Sequence, residues 1–338
     1  MKLATWRTIA VICSVVVVAC GGSSTPSSQA TSQPISMQVA LYPGSLISLP
    51  GYIAQQKGFF KANGLDVSLV EVSGGPAAVS ALLSNSVQMM LNATDLNMQT
   101  SEKGQKIVVA AGDTNHMIFS LIARTDVSTP NQSKGYPAVM TDLKGKKIGV
   151  TQRGSSVELF VHVMLKDAGL DPNKDVVFIG VGLPGTALPA MENKQIDAYM
   201  AFEPMQTLAV TQKKEAKILV DLRKGEGNAL FKEWDYNSWA TTSDYASSNK
   251  EAIKRFQKAM SQTQDWMHDP KNFNALVQLT AKIQNMDTQT ATDMLKGNLD
   301  TFGYKMSSQA VTNTSQFLVS NGLLKNQVKY SDYVLPGT

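Results

Sequence analysis

Cysteine is almost missing from this sequence of 338 residues: there are two, Cys13 and Cys20. Both fall within the first twenty residues. The chain beyond them has no thiol pair for a disulfide and no Cys-x-x-Cys spacing for zinc. Histidine is as scarce: His116, His162 and His268 are far apart, with no His-x-x-x-His pair to hold a metal. Charged residues make up only 17% of the chain. They form no basic block and do not interleave with aromatics, so nucleic acid is not an expected partner. There is no G-x-x-x-x-G-K-[ST] phosphate loop and no G-x-S-x-G elbow. Ser247-Ser248-Asn249-Lys250 has the S-x-x-K spacing of an acylated serine. It lacks the companion motifs and precedes a helical stripe, so it reads as a helix cap. No catalytic residue, cofactor or metal is therefore expected.

What is present is a long apolar-rich chain, 43% hydrophobic, large enough for two compact domains. Lys2 and Arg7 precede an apolar run from Ile9 to Val18, too short to span a bilayer. That is the layout of a secretory leader, expected over residues 1–19. The run ends Val17-Val18-Ala19-Cys20-Gly21. It resembles the lipobox of bacterial lipoproteins, and the resemblance implies a lipid on Cys20. Losing Lys2 and Arg7 leaves 29 basic side chains against 27 acidic ones. Residues 20–35 are rich in Ser, Thr, Gly, Pro and Gln and read as a flexible tether. No later stretch is long and apolar enough for a membrane helix, so contact with a membrane is expected through the lipid alone.

From Met37 onward, strands alternate with helices. Val39–Leu41, Val67 to Val72 and Val87–Leu91 read as strands; Tyr52–Ala62 and a stretch opened by Pro76 read as helices. The order recurs with strands at Ile148–Val150, Val176–Ile179 and Ile196–Met200. Between the first two, Val157, Phe160, Val161, Met164, Leu165 and Ala168 recur at helical spacing. The Gly-Leu-Asp turns at Gly64 and Gly169 are offset by 105, and Gly75 and Gly185 by 110. A duplicated α/β unit is the reading that accounts for order, turns and spacing together. The last portion is helical: Ile253, Phe256, Met260, Thr263 and Met267 form one stripe, and Leu276, Thr280 and Ile283 another. It is expected to cap the sheet of one lobe.

The runs GYIAQQKGFFKANGLDVSLVEVSGGPAAVSALLSNSVQMML, LKGKKIGVTQRGSSVELFVHVMLKDAGLDPNKDVVFIGVG, ALPAMENKQIDAYMAFEP and WATTSDYASSNKEAIKRFQKAMSQTQDW are distributed across residues 37–270. Together they resemble the nitrate/sulfonate/taurine/thiamine-precursor substrate-binding proteins of ABC importers. The resemblance implies an α/β fold of the periplasmic binding protein type II kind. Each lobe would be a mostly parallel sheet flanked by helices, and two crossover segments would join the lobes. Ile118–Ala123 is the expected first crossing strand, and the return falls near Ser238 to Thr241. Lobe one is then 36–124 plus 239–338, and lobe two 125–238. The implied partners are a small-molecule ligand, an ABC permease and its ATPase. The implied location is periplasmic, or the outer face of the cell membrane, with the protein monomeric and held by lipid at Cys20. The other readings left open are a ligand-sensing or scavenging lipoprotein of the same fold, and an enzyme of thiamine-pyrimidine metabolism. The cysteine-rich motif of the latter is missing.

In open parallel sheets, ligands bind beyond the carboxyl ends of the strands. That rule selects Tyr42, Ser45 and Leu46; Gly74 and Gly75; Asn92, Thr94 and Asp95; Gln152, Gly154, Ser155 and Ser156; Gly185; Phe202 and Glu203; and Trp239 at the return crossing. Glycines admit a ligand to the backbone, and helix starts attract anions. Tyr42, Phe202 and Trp239 are placed to sandwich a flat group. Arg153 is the one basic residue in these loops, beside the acids Asp95 and Glu203. A small organic ligand, partly anionic or heteroaromatic, fits this set better than bare nitrate.

Overall fold

The computed structural model describes residues 33–338. The expected leader, Cys20 and nearly all of the tether lie outside the described residues. The end of the tether does not: Ile35 already pairs with Leu65 in a sheet. Ten strands are present among the described residues: β1 (Ile35–Leu41), β2 (Leu65–Glu71), β3 (Met89–Ala93), β4 (Ile107–Gly112), β5 (Ser120–Arg124), β6 (Lys147–Val150), β7 (Val177–Gly180), β8 (Ala198–Ala201), β9 (Ala216–Asp221) and β10 (Asn237–Thr242). The helices are α1 (Leu49–Gln56), α2 (Phe59–Ala62), α3 (Gly75–Leu83), α4 (Thr94–Glu102), α5 (Ser156–Asp167), α6 (Pro184–Glu192), α7 (Ser243–Ser248), α8 (Lys250–His268), α9 (Phe273–Gln284), α10 (Thr288–Asn298), α11 (Ser308–Ser320) and α12 (Tyr330–Tyr333).

The strands form two five-stranded sheets, ordered β2-β1-β3-β10-β4 and β7-β6-β8-β5-β9. The first three strands of each are mutually parallel, and the fourth is antiparallel to both of its neighbours. The two orders are the same, so β2, β1 and β3 correspond to β7, β6 and β8. That is the duplication suggested by the Gly-Leu-Asp turns, with its offset absorbed before β7.

The antiparallel strand of each sheet arrives from the other half of the chain. β5 follows β4 of sheet one and inserts between β8 and β9; β10 follows β9 of sheet two and inserts between β3 and β4. This moves one expected boundary. A limit at 124 counts Ser120–Arg124 with lobe one, but these residues pair with Ala198–Ala201 and Ala216–Asp221. The first crossing therefore lies between Gly112 and Ser120. Hydrophobicity alone does not reveal this, because a buried central strand reads alike in either sheet.

Two sequence elements differ in detail. The helix expected over Tyr52–Ala62 is split, because Gly58 takes φ +75° and resets the chain between α1 and α2. Trp239 does not face the space between the lobes. It is fully buried in lobe one, its ring 5.8 Å from that of Phe256. A Cβ on Gly51 would stand 2.8 Å from the Trp239 ring, so α1 packs there only because residue 51 has no side chain. The reason is alternation along β10: side chains of a strand point to the sheet faces, and position 239 points to the face that α1 and α8 cover. The helical tail does cap lobe one. Met267, Leu276, Met294, Leu295 and Phe302 close a second apolar cluster over Leu46, Leu49 and Ile53.

The indole Nε1 of Trp239 donates to Asp113 Oδ1 at 3.1 Å, and Asp113 is completely buried. Burial holds that carboxyl well above the usual range, and the indole opposes the shift. Trp239→Phe should destabilise the protein by about 1–3 kcal/mol, because it strands a buried acceptor as well as losing ring area. Urea unfolding checks this; an unchanged midpoint would contradict it.

Candidate functional site

The carboxyl ends of both parallel sets open onto one narrow cleft. Its walls come from both lobes. Gly74 and Gly75 begin α3, Ala93 precedes α4, Ser155 and Ser156 begin α5, and Leu183 precedes α6. Four helix N-termini thus converge on it, each presenting the positive end of a helix dipole. The hinge side carries aromatics from both crossings. Phe119 meets Tyr236 edge-on at 4.6 Å and Phe202 at 5.6 Å.

The local chemistry explains these positions. Ser155 caps α5 by accepting from Glu158 N at 3.5 Å, and Glu158 Oε2 accepts from Gly154 N at 2.7 Å. This S-x-x-E box fixes the entry of the loop into the helix. It also engages Arg153, whose Nε lies 2.9 Å from Glu158 Oε1, so the one arginine of the cleft loops is turned to its own helix. No lysine or arginine lines the cleft. Gly75 has little room for a side chain: a Cβ there would stand 2.7 Å from Leu96 Cδ2 and 3.0 Å from Asn92 Oδ1.

Hydrogen-bond direction then sets what the polar wall offers. The Tyr42 hydroxyl donates to Asn92 Oδ1 at 3.0 Å, and Asn92 Nδ2 donates to Asn97 Oδ1 at 2.8 Å. Once its proton is committed, the Tyr42 oxygen faces the cleft as an acceptor. Asp95 is fully buried behind this wall with Oδ1 unpartnered, and Ser156 Oγ is likewise buried without a partner. Burial pushes the Asp95 carboxyl up to about 6, while the nearby Ser156 hydroxyl and the Gln99 amide hold it down. Ser156 thus stands beside both Asp95 and Tyr236, and an ionised Asp95 would draw its proton and leave Oγ as a second acceptor.

Over residues 48–272 the sequence matches the family described as NMT1/THI5 like, which is well over half of the chain. The chain belongs to that family. It is 23% identical over 286 residues to the nitrate/nitrite binding protein NrtA of Nostoc sp., covering 80% of this chain and 63% of that protein's length. In structure it is similar to a protein from Bordetella bronchiseptica RB50, with TM-score 0.77 and 22% identity over 89% of this chain and 94% of that one. It is also similar to the alkanesulfonate-binding protein SsuA of Xanthomonas axonopodis pv. citri bound to MOPS, with TM-score 0.70 and 18% identity over 90% and 99%. These neighbours share the two-lobe periplasmic binding protein fold. Relatives of this NMT1/THI5-like chain include binding proteins and, at 28% identity over 54% of this chain and 51% of that protein, a putative thiamine biosynthesis protein of Haemophilus influenzae.

Of the residues selected from the sequence of this NMT1/THI5-like protein, Tyr42, Gly74, Gly75, Asn92, Ser155, Ser156 and Phe202 line the cleft. The others do not. Gly154 and Gly185 are exposed outside it, and Gln152 sits at its rim. Ser45 and Leu46 are buried under the β1–α1 loop, where Leu46 joins the second apolar cluster. Thr94 and Asp95 lie one layer behind the wall, because α4 begins there and turns them inward. Glu203 is buried in a contact between the lobes, accepting from Thr207 N at 3.1 Å and Asn298 Nδ2 at 3.3 Å. Trp239 is in the lobe-one core, as described above.

Phe119 and Tyr236 were not anticipated. Their signal in the sequence is an aromatic residue just before each crossing strand. His116 lies in a separate groove with Trp234 and Asp235. His162 Nε2 lies 3.4 Å from Glu158 Oε1, and burial holds its imidazole below the usual range; His268 bonds the carbonyls of Gln264 and Leu299. Among the described residues no group of three His, Cys, Asp or Glu could hold a metal, and no helix is long and apolar enough to cross a membrane.

The Asp95 carboxyl has a folded-state value of about 6 against an ordinary 3.8, so the folded protein binds its proton more tightly than the unfolded chain. Its contribution to stability is then full below the ordinary value and falls as pH rises through about 6. Asp95→Asn should be more stable than the parent at pH 7.5, by up to about 3 kcal/mol, and nearly equal to it at pH 4. Denaturant titration at the two pH values checks this; a pH-independent difference would contradict it.

Proposed function

We propose that this protein is the extracytoplasmic, lipid-anchored receptor of an ABC importer that closes its two lobes on a small organic molecule. The ligand has a flat, heteroaromatic or apolar body against Phe119, Phe202 and Tyr236. It turns an N–H group to Tyr42 and Ser156 and a polar or anionic edge to the N-termini of α3 and α5. The observation that carries this reading is the cleft wall itself: the Tyr42 oxygen oriented as an acceptor, no cationic side chain, and an aromatic floor built by both crossings. A bare anion would have only helix dipoles to hold it. Ligand binding would shift the lobes toward the closed arrangement, which a membrane permease with its ATPase would then recognise. The protein would act as a monomer and carry out no turnover.

Isothermal titration against nitrate, taurine, alkanesulfonates and amino-substituted pyrimidines tests the ligand class. N–H-bearing compounds are expected to bind at least about tenfold more tightly than nitrate, a difference of about 1.4 kcal/mol. Tight binding of nitrate alone would overturn the assignment. Affinity for the N–H-bearing ligand should rise as pH passes upward through about 6, because ionised Asp95 draws the Ser156 proton away from the cleft. Ser156→Ala should remove that dependence.

The membrane attachment rests on the lipobox-like run ending in Cys20. Cys20→Ser should move the protein from the membrane fraction to the soluble extracytoplasmic fraction. Equal partition of variant and parent would rule the lipid out.

A further inference from the structure

β2 is the edge strand of sheet one on the side away from β4, and two strands separate it from the crossing strand β10. Groups that follow β2 therefore lie at the mouth of the cleft, far from the two crossings. Ser73 is in that loop, and its hydroxyl accepts from Gln152 Nε2 of lobe two at 2.9 Å. The Gln152 side chain also lies flat over the Gly74 backbone: a Cβ on Gly74 would stand 2.7 Å from Gln152 Oε1 and 3.0 Å from its Cδ. Neither Ser73 nor Gln152 lines the cleft. A second contact between the lobes lies toward the helical tail of lobe one, where Leu46 N donates to Glu203 O at 3.3 Å and Asn298 Nδ2 to Glu203 Oε1. That one is buried; the Ser73–Gln152 contact is at the rim, with Ser73 exposed and Gln152 Oε1 covered against Gly74.

We propose that Ser73 and Gln152 form a mouth latch that sets how fast ligand leaves without touching the ligand. This rests on the reading of the cleft as a closing binding site. Rotation of the lobes about the crossings moves the mouth farthest, so this contact breaks at the start of opening. The bond has strength in proportion to its exclusion from water, and Gly74 provides that by letting the amide lie against the backbone. Ser73 and Gln152 are positioning residues. They act on the equilibrium between open and closed lobes, and so on release more than on capture.

The test places spin labels on Lys61→Cys in lobe one and Lys174→Cys in lobe two, both exposed positions, in full chains carrying Cys13→Ser and Cys20→Ser. Pulsed dipolar spectroscopy then reads the distance between the lobes without ligand. Ser73→Ala and Gln152→Ala should each shift the distribution to longer distances, and the double variant should go no further than either single one. With a ligand that calorimetry has identified, release should quicken by about two- to tenfold at an unchanged association rate. An unchanged distance distribution, or single effects that simply add, would overturn the latch. If no compound binds, the proposed function fails, but the distance measurement still judges the latch.

Discussion

Each sheet is completed by a strand that comes from the opposite half of the chain, β5 between β8 and β9 and β10 between β3 and β4. A central strand carries ladder bonds on both sides, so neither lobe can close its hydrogen bonding without its visitor. The two lobes are therefore separate sheets tied by two segments that cannot detach. Those segments bring Phe119 and Tyr236 together as the floor of the cleft. The exchange of strands thus makes the hinge and the aromatic floor at one stroke. It also turns the carboxyl ends of both parallel sets toward the same space, which is where helix N-termini gather in such folds.

The polar wall depends on directions as much as on residue types. A tyrosine hydroxyl can donate or accept; committing its proton to Asn92, itself engaged with Asn97, leaves Tyr42 one role toward a guest. An ionised Asp95 would give Ser156 the same single role from behind. Neither residue behind the wall needs to meet a ligand to shape its choice. The same separation of tasks recurs at the edges of the cleft, where Glu203 and Gln152 hold lobe against lobe rather than lining the interior.

Much of this was legible in the order of residues. Pattern and turn chemistry placed most strands within a few residues, since a parallel strand covered on both faces is an apolar run that punctuation by Gly, Pro and Asn sets off. The glycines at 74 and 75 and the helix start at Ser155 and Ser156 were readable for the same reason: they are local devices with local causes. The strand β4, as apolar as its neighbours, and the polar helix α4 were not read. The first lacks a distinctive pattern, and the second draws its stability from packing against β3 and β4 rather than from a clear apolar stripe.

Trp239, Glu203, Asp95 and Arg153 show where such reading ends. A loop after a strand can be located from sequence, but the face to which its side chains turn depends on partners far away along the chain: Phe256 and Asp113 for Trp239, Asn298 for Glu203. Residue order was enough for the duplicated α/β halves, the helical cap and the loops that could bind, because those follow from hydrophobic period and backbone preference within a short window. Which of the loop residues reach the cleft, which sheet owns Ser120–Arg124, and which hydroxyls are left to accept were settled by packing between segments about a hundred residues apart, since burial and hydrogen-bond direction exist only once those segments meet.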